Sequence, residues 1–446
     1  MKFKKVLIAN RGEIAIRVLR SCKELGIETV CVYSTADENS LHVKLADESV
    51  CIGPPKSLHS YLNMHAILSA AEITGADAIH PGYGFLSENE EFSKMCEQCG
   101  IDFIGPHRES LRSMGDKIES KKIAKEANVP TLEPIYVNEL SDEDIIKSVE
   151  AMGYPVLIKA SAGGGGRGMK RIDQQKDLLS AISMLKEESR LAFGDDTLFI
   201  EKFVSNPRHI EVQILADKFG KVLHVGERDC TIQRRFQKVV EESPSPVIDE
   251  KTRNEMCEAS VRLAQKVKYD SVGTVEYLYD LDSGKFYFME MNTRIQVEHP
   301  VTEQRSGIDL IAEQIRVAAG QKLKLEQKDI KFSGHVIECR INAENPETSM
   351  PSPGLITHYH RPGGIGVRVD DFIYTGYQVS PHYDSMISKI IVKADNREEC
   401  INRTLRALDE TVVGGISTNI ELHKKILKNS DFRQNSYNTN FLAEKC

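Results

Sequence analysis

Residues 1–115 alternate short apolar runs with stretches whose apolar positions recur at helical spacing. Lys5-Val-Leu-Ile-Ala9 reads as a buried strand. Ile14, Val18, Leu19, Cys22 and Leu25 then mark one helix face, and Gly26 supplies its stop. Glu28–Tyr33 is the next strand, and a helix over about 61–74 ends at Gly75. Ala76–Ile79 is a third strand. Ser87 is the expected N-cap of a helix running to Cys99, and Ile101–Ile104 closes the series. Strands separated by helices predict a parallel, doubly wound sheet.

The first turn, Asn10-Arg-Gly-Glu13, lacks a G-x-G-x-x-G fingerprint, so this is a Rossmann-like layer without a dinucleotide signature. A long polar helix is expected over about 107–128, ending at Val129-Pro130. Residues 131–204 form a compact unit: strand Pro155–Lys159, a glycine loop from Ala160 to Gly168, strand Met169–Ile172, helix Leu178–Phe193 and strand Leu198–Phe203. Hairpins dominate from 205, with Ile210–Leu215 and Val222–Val225 flanking an Asp217–Gly220 turn, and a mixed tail runs to 446. The expected class is α/β followed by α+β in several domains: 1–115, a helical linker 116–130, 131–204 and 205–446.

At 446 residues the chain is too long for one ordinary core, which agrees with that division. A net charge of −8 argues against nucleic acid as the main partner, and no apolar run reaches membrane-span length. The basic start is followed only by Val6-Leu-Ile-Ala9, too short for a signal-peptide core. Ten scattered cysteines make no disulfide framework, which places the chain in the cytoplasm. Cys96-Glu-Gln-Cys99 has no second pair and reads as one turn of a packed helix.

The densest chemistry lies between 276 and 298. Gly273–Leu281 and Lys285–Asn292 read as strands joined by a three-residue loop, Asp282-Ser283-Gly284, with glycine in the left-handed position. If Leu281 pairs with Lys285, Glu276 falls opposite Glu290. Opposed side chains sit ~5 Å apart. Two bare carboxylates there repel by about 3 kcal/mol at an effective dielectric near 20. Either a cation sits between them or the register differs and one points to solvent. With Asn292 on the Glu290 face, the oxygen-only set suits Mg²⁺ bound together with nucleotide phosphates. Arg294, Gln296 and Glu298 share a face if the strand continues past Asn292.

Ser161–Gly168 carries four successive glycines between two strands, with Lys159 just before them. Such a loop can fold its N–H groups around an anion, or be a flexible hairpin tip; Lys159 favours phosphate. Gln233–Glu242, holding Lys238, is a basic cluster beside acids and taken alone reads as a solvated turn. Glu338-Cys-Arg340-Ile-Asn-Ala-Glu344 alternates like a strand presenting Arg340, to a site or to a surface ion pair. His80-Pro-Gly-Tyr83-Gly-Phe85 ends a strand, where open α/β sheets bind ligands, or is an ordinary glycine turn. His209 alone reads as a satisfied polar histidine.

Together these strings resemble the biotin carboxylases, a family of ATP-grasp enzymes, over essentially the whole chain. The resemblance rests on Ile8–Ile14, His80–Asn89, Lys159 with its glycine loop, Glu227-Arg-Asp-Cys230, Glu290–Pro300 and Glu338–Glu344. It implies a lid near 131–204 and a catalytic region from about 205. It implies that Lys117, Lys159 and His209 meet ATP phosphates or ribose, with the Gly165-Gly166 backbone covering the phosphates. Glu201, Lys202, Phe203, Val204, Gln233 and Leu278 are implied around the base. Glu276 and Glu290, helped by Asn292, would hold Mg²⁺, for which Mn²⁺ is the implied substitute. Bicarbonate is implied against Lys238, Arg294, Gln296 and the Val297 backbone, with Glu298 as general base. Arg340 would stabilise the biotin enolate and Tyr83 would place biotin.

Two departures stand out. Phe236 occupies a position commonly histidine in the family, which predicts a weaker hold on ATP. Ile365 replaces a common phenylalanine near the family's dimer contact and leaves the strength of a homodimer open. No carrier-type Met-Lys-Met hairpin is present, so the resemblance implies a separate biotin carboxyl carrier protein and carboxyltransferase subunits. Acetyl-CoA carboxylase is the expected complex, with a two-subunit pyruvate carboxylase or another acyl-CoA carboxylase next. An ATP-grasp ligase acting on a different acid would share the ATP residues but not Glu298, Lys238, Arg340 and Tyr83 together. An inactive nucleotide-binding scaffold would not keep every competent side chain.

Overall fold

A computed structural model describes residues 2–161 and 168–445. The glycine run, with Gly165 and Gly166, lies outside the described residues. The apolar alternation at the start resolves into a five-stranded parallel sheet in the order Glu48–Gly53, Glu28–Ser34, Lys5–Ile8, Ala78–His80, Asp102–Phe103. Alternate residues feed two different cores. Leu7, Val30, Val32 and Ile79 pack under helices Met64–Thr74 and Glu90–Gln98. Val6, Ile8, Cys31 and Ala78 pack under helix Gly12–Glu24 and, from far along the chain, helix Leu310–Ala318. Both faces are covered, as a parallel sheet requires.

Several local expectations are corrected. The sheet gains the strand Glu48–Gly53, whose apolar run is only Val50-Cys51-Ile52, with Ile52 alone buried. Asn89, not Ser87, caps the helix before Cys99, its side chain accepting from the Phe92 N–H. Ser87 is buried in the preceding turn. The long helix over 107–128 is two helices, Arg108–Gly115 and Lys117–Glu126. Asp116 breaks it by accepting the Ile118 and Glu119 N–H groups, a cap stronger than continuation through Gly115. Cys96 is buried and Cys99 is the exposed C-cap.

Residues 135–202 carry a second sheet, antiparallel, in the order Ile135–Tyr136, Leu198–Lys202, Val156–Ala160, Met169–Ile172. Helices Asp142–Met152 and Leu178–Phe193 cover it around a core of its own. The third sheet is antiparallel and eight-stranded. It runs Lys285–Asn292, Val272–Asp280, Pro207–Ala216, Val222–Arg234, Gln237–Ser243, His335–Asn342, Met386–Ala394, Val367–Asp371. Its strand Pro207–Ala216 explains the site. Ile210, Val212 and Ile214 pack against helix Glu250–Lys266. By period-two alternation, His209, Glu211 and Gln213 are sent to the opposite face, where they are also buried. No helix among the described residues is long and apolar enough to cross a membrane.

Candidate active site

A cavity of about 790 Å³ lies where the three sheets meet. Lys117, Lys159 and Phe199 wall one end, Tyr83, Phe85 and Tyr383 the other, and Lys238, Glu276, Glu298 and Arg340 lie between. The acidic hairpin reaches it by a route different from the expected one. Asp280, not Leu281, pairs with Lys285, so the loop is one residue longer. A bulge between Tyr277 and Glu276 then takes up one extra residue on the partner strand and restores Glu276 opposite Glu290.

The strand stops at Asn292, and residues 293–298 form an irregular turn. Strand alternation therefore does not align Arg294, Gln296 and Glu298; anchors from elsewhere do. Glu88 accepts from the Thr293 N–H at 3.1 Å and from Arg294 Nε at 3.0 Å. Arg294 Nη2 donates to Asn292 Oδ1 at 2.9 Å. Gln296 Nε2 donates to Glu276 Oε1 at 2.6 Å, and Lys389 donates to the Val297 carbonyl at 2.6 Å.

Lys238 is the hub. Its ammonium donates to Glu211 and Glu298 at 2.6 Å each and to Glu276 at 2.9 Å. Burial disfavours its charge, but the three carboxylates outweigh that and raise its pKa well above the ordinary lysine value. Glu298 accepts on its other oxygen from Arg340 Nη2 at 2.9 Å, and Arg340 Nε donates to Glu241 at 2.6 Å. Burial pushes Glu298 up, yet Lys238 and Arg340 hold it well below the usual carboxylate range. Glu241, deeper still, is pushed up to about 7 by burial. The solvated-turn and surface-ion-pair readings of Lys238 and Arg340 are thus overturned.

Beneath this layer Arg228, fully buried, ties the floor together. It donates to Glu211 at 2.5 Å, Gln213 at 2.7 Å, Gln296 at 2.8 Å, Thr302 at 2.9 Å and Thr274 at 3.2 Å. His209 Nε2 lies 2.9 Å from Glu276, and Gln233 lies 3.0 Å from its Nδ1. Burial opposes His209's charge, but Glu276 raises its pKa overall.

The two members of the opposed pair differ: Lys238 and His209 outweigh burial and hold Glu276 well below the usual carboxylate range. Burial and the facing Glu276 raise the Glu290 carboxyl, with Lys117 pulling the other way. Lys117 itself is lowered by burial. A cation between Glu276 and Glu290 would offset their repulsion and favour the ionised form of Glu290, and their carboxylate oxygens with Asn292 Oδ1 suit a hard divalent ion. The residues present fit Mg²⁺.

Other candidate residues sit elsewhere. Lys159 donates to Glu201 at 2.7 Å, and Lys121 pairs with the same carboxylate. Lys202 donates to the Gly153 and Tyr154 carbonyls. The Arg171 guanidinium stacks 4.4 Å over Phe203. None of Glu201, Lys202, Phe203, Val204 and Leu278 lines the cavity, whereas Gln233 and His209 do. Tyr83 lines the far end, with its phenol donating to buried Glu13. His80 is a buried turn brace accepting from the Gly82 N–H at 3.0 Å. The sequence reading assigned nothing to Glu211, Arg228, Glu241, Glu13 or Lys389. For Glu211 and Lys389 the available signal was a polar residue among Ile and Val in a strand buried on both faces.

Comparisons with known proteins agree with this geometry. Three family models match in succession: the biotin carboxylase N-terminal domain over 2–111, the carbamoyl-phosphate synthase L chain ATP-binding domain over 116–326, and the biotin carboxylase C-terminal domain over 338–444. The biotin carboxylase of Haemophilus influenzae is 52% identical, over 99% of this chain and 98% of its own length. A solved biotin carboxylase–β-γ-ATP complex from Campylobacter jejuni superposes with a TM-score of 0.96 at 49% identity, covering 99% of both chains. The biotin carboxylase domain dimer of Hydrogenobacter thermophilus 2-oxoglutarate carboxylase, solved with MgADP, ADP and bicarbonate, gives 0.94 at 47%, covering 99% of this chain and 97% of the other. The chain belongs to the biotin carboxylase family and is an ATP-dependent ligase.

Proposed function

We propose that this chain uses ATP and bicarbonate to carboxylate biotin carried on a separate protein, through carboxyphosphate. The observation that carries the reading is Glu298: a buried carboxylate held ionised between Lys238 and Arg340, with Lys238 bonded also to Glu276 of the opposed pair Glu276 and Glu290. An ionised, water-shielded carboxylate is free to take a proton, and its basicity rises when bicarbonate draws the Lys238 ammonium onto itself.

Bicarbonate enters against Lys238, Arg294, Gln296 and the Val297 backbone, and Glu298 takes its proton. The freed oxygen attacks the γ-phosphorus of ATP; the bond to the β–γ bridging oxygen breaks and ADP leaves. Bound Mg²⁺, held by Glu276, Glu290 and Asn292, supplies charge neutralisation at the phosphates. Lys238 and Arg294 are positioned for the charge that develops on the carboxyl oxygens, where prearranged donors matter most. Carboxyphosphate breaks to CO₂ and phosphate. Phosphate removes the ureido proton of biotin, Arg340 stabilises the enolate, and Tyr83 holds the ring. Residues 131–204 act as the lid, with Lys117, Lys159, His209 and the Gly165-Gly166 backbone assigned to phosphates or ribose. The segment Glu201–Val204, with Gln233 and Leu278, is assigned to the base, over which a closing lid would bring it. A closed lid protects carboxyphosphate from water.

The complex served is assigned to acetyl-CoA carboxylase in the cytoplasm, with a homodimer as the working unit and a carrier protein and carboxyltransferase as partners. The Hydrogenobacter thermophilus neighbour works in 2-oxoglutarate carboxylase, so a two-subunit carboxylase of a keto acid such as pyruvate is the second reading. Bicarbonate-dependent ATP cleavage, measured with and without free biotin, tests the reaction. Biotin stimulation is expected, and its absence would overturn the proposal. Mass spectrometry of proteins captured with the chain from native extract separates the complexes.

A further inference from the structure

The bicarbonate turn and the biotin wall come from opposite ends of the chain, yet a buried polar line joins them. Lys389, in strand Met386–Ala394, has a side chain 0% exposed. Its ammonium donates to the Val297 carbonyl at 2.6 Å and lies 3.2 Å from Glu13 Oε1. Glu13, in the first turn of helix Gly12–Glu24, accepts in turn from the Tyr83 phenol. A buried ammonium is expensive unless its donors are used, so its place here is fixed by those partners. The Val297 carbonyl belongs to a turn with no strand partner, and Lys389 is the side chain that donates to it.

We infer that Lys389 is a positioning residue: it fixes the Gln296–Val297–Glu298 turn for bicarbonate and, through Glu13, ties that turn to the Tyr83 loop. Lys389 touches no substrate in this role. It acts by setting the direction of the Val297 peptide, and hence of its neighbours Gln296 and Glu298. Glu276 shares Gln296 with that turn but keeps Lys238 and Asn292 as further partners, so the Glu276–Glu290 pair retains support when Lys389 is removed.

The inference rests on the carboxylation reading, and the test keeps the two apart. Wild type, Glu13→Gln, Lys389→Met and the double variant are compared in bicarbonate- and biotin-dependent ATP cleavage. Lys389→Met is expected to raise the apparent KM for bicarbonate by roughly tenfold or more, the loss of a charge-assisted hydrogen bond, with the KM for ATP unchanged. Glu13→Gln keeps an acceptor for Tyr83 but removes the counter-charge, and a smaller rise, about threefold, is expected. Lys389→Met strands Glu13 without its partner and can unfold the chain; the double variant removes both charges and keeps the packing. A normal bicarbonate KM in the double variant, or in Glu13→Gln should the double variant not fold, overturns the inference. Equal rises in the KM for bicarbonate and ATP also overturn it, because they report general loosening. Wild type without biotin stimulation sinks the carboxylation reading instead.

Discussion

The two ends of the cavity are built on different principles. At the bicarbonate end, Lys238, Arg340, Arg294, Glu276 and Glu298 each make hydrogen bonds inside one antiparallel sheet and its adjoining turn, on a floor tied together by Arg228. At the lid end, Lys159 and Phe199 belong to a small sheet with its own hydrophobic core. Among the described residues, Lys121 with Glu201 links that unit to the rest, and the Thr131–Phe288 bridge holds the chain leading into it. Its ion pairs Arg171–Asp173 and Arg190–Asp196 are largely in solvent, where such pairs stabilise little. The contrast separates tasks. On the proposed reading, charge stabilisation requires dipoles that do not reorganise, whereas a lid must open for nucleotide exchange, and a separate core would let it move as a unit.

If the bicarbonate end is prearranged for proton removal, Glu298→Gln should be the most damaging change. It keeps shape and one acceptor oxygen for Lys238 or Arg340, but no longer accepts a proton. Turnover is expected to fall roughly 10²–10⁴-fold, the usual range for a general base. ATP binding by calorimetry should stay within about twofold of wild type. Near-normal turnover would remove Glu298 from the role. Arg228→Met attacks the floor rather than the base. It leaves Glu211 buried without one cation, and breaking such a pair costs about 3–5 kcal/mol. Denaturant unfolding should show that loss; a loss below about 1 kcal/mol would mean that the floor is not held by Arg228.

The same contrast predicts an acid limb. Glu242, in strand Gln237–Ser243, accepts from Arg397 at 2.7 and 3.0 Å, lies 2.7 Å from His335 Nε2, and accepts from Tyr437 at 2.9 Å. Burial pushes its carboxyl up, but Arg397 and His335 outweigh burial and hold it well below its ordinary value. A lowered carboxylate contributes stability that is fully present above its unfolded pKa, about 4.3, and that fades as pH falls toward the folded value. Glu242→Gln should therefore destabilise by about 1.5–3 kcal/mol at every pH above ~4.5. The gap from wild type should narrow at lower pH. A gap that widens on acidification would have the wrong sign for this carboxylate.

What could be read from the chain follows the same divide. The parallel layer was legible because a sheet covered on both faces demands continuous apolar runs, as Leu7 and Ile8 show by entering different cores. Strand Glu48–Gly53 was not, because its apolar run is only three residues long and just Ile52 is buried. Glu276 opposite Glu290 was anticipated, but two shifts cancelled: the loop is a residue longer, and a bulge restores the register. A bulge is a tertiary accommodation and has no signature in these few residues. Arg294, Gln296 and Glu298 were rightly grouped for the wrong geometric reason, because Glu88 and Lys389, far away in sequence, replace the strand that ends at Asn292. Braces of that kind are set by topology and have no local spacing to read.

The smallest effect expected lies at the departure from the family pattern. Phe236 forms, with Arg235, the two-residue turn between Arg234 and Gln237, which pair across the hairpin. Both turn residues have positive φ, 51° and 65°, the left-handed geometry of a tight hairpin turn and an unfavourable one for side chains with a Cβ. The ring is 63% exposed and lines the cavity, so this hairpin tip presents its side chain toward the space assigned to ATP. A phenyl ring has no polar atom to offer there, whereas an imidazole has two nitrogens. Phe236→His changes neither the backbone demand nor the exposed site, so folding should be unaffected. One neutral hydrogen bond corresponds to about 0.5–1.5 kcal/mol, so ATP should bind roughly two- to tenfold more tightly. The bicarbonate KM should not move, since Lys238 begins the braced end only two residues further on and is held by three carboxylates. Equal ATP affinity in the two proteins would mean that the tip does not reach the nucleotide. A shifted bicarbonate KM would mean that the two ends of the cavity are less independent than their separate bracing implies.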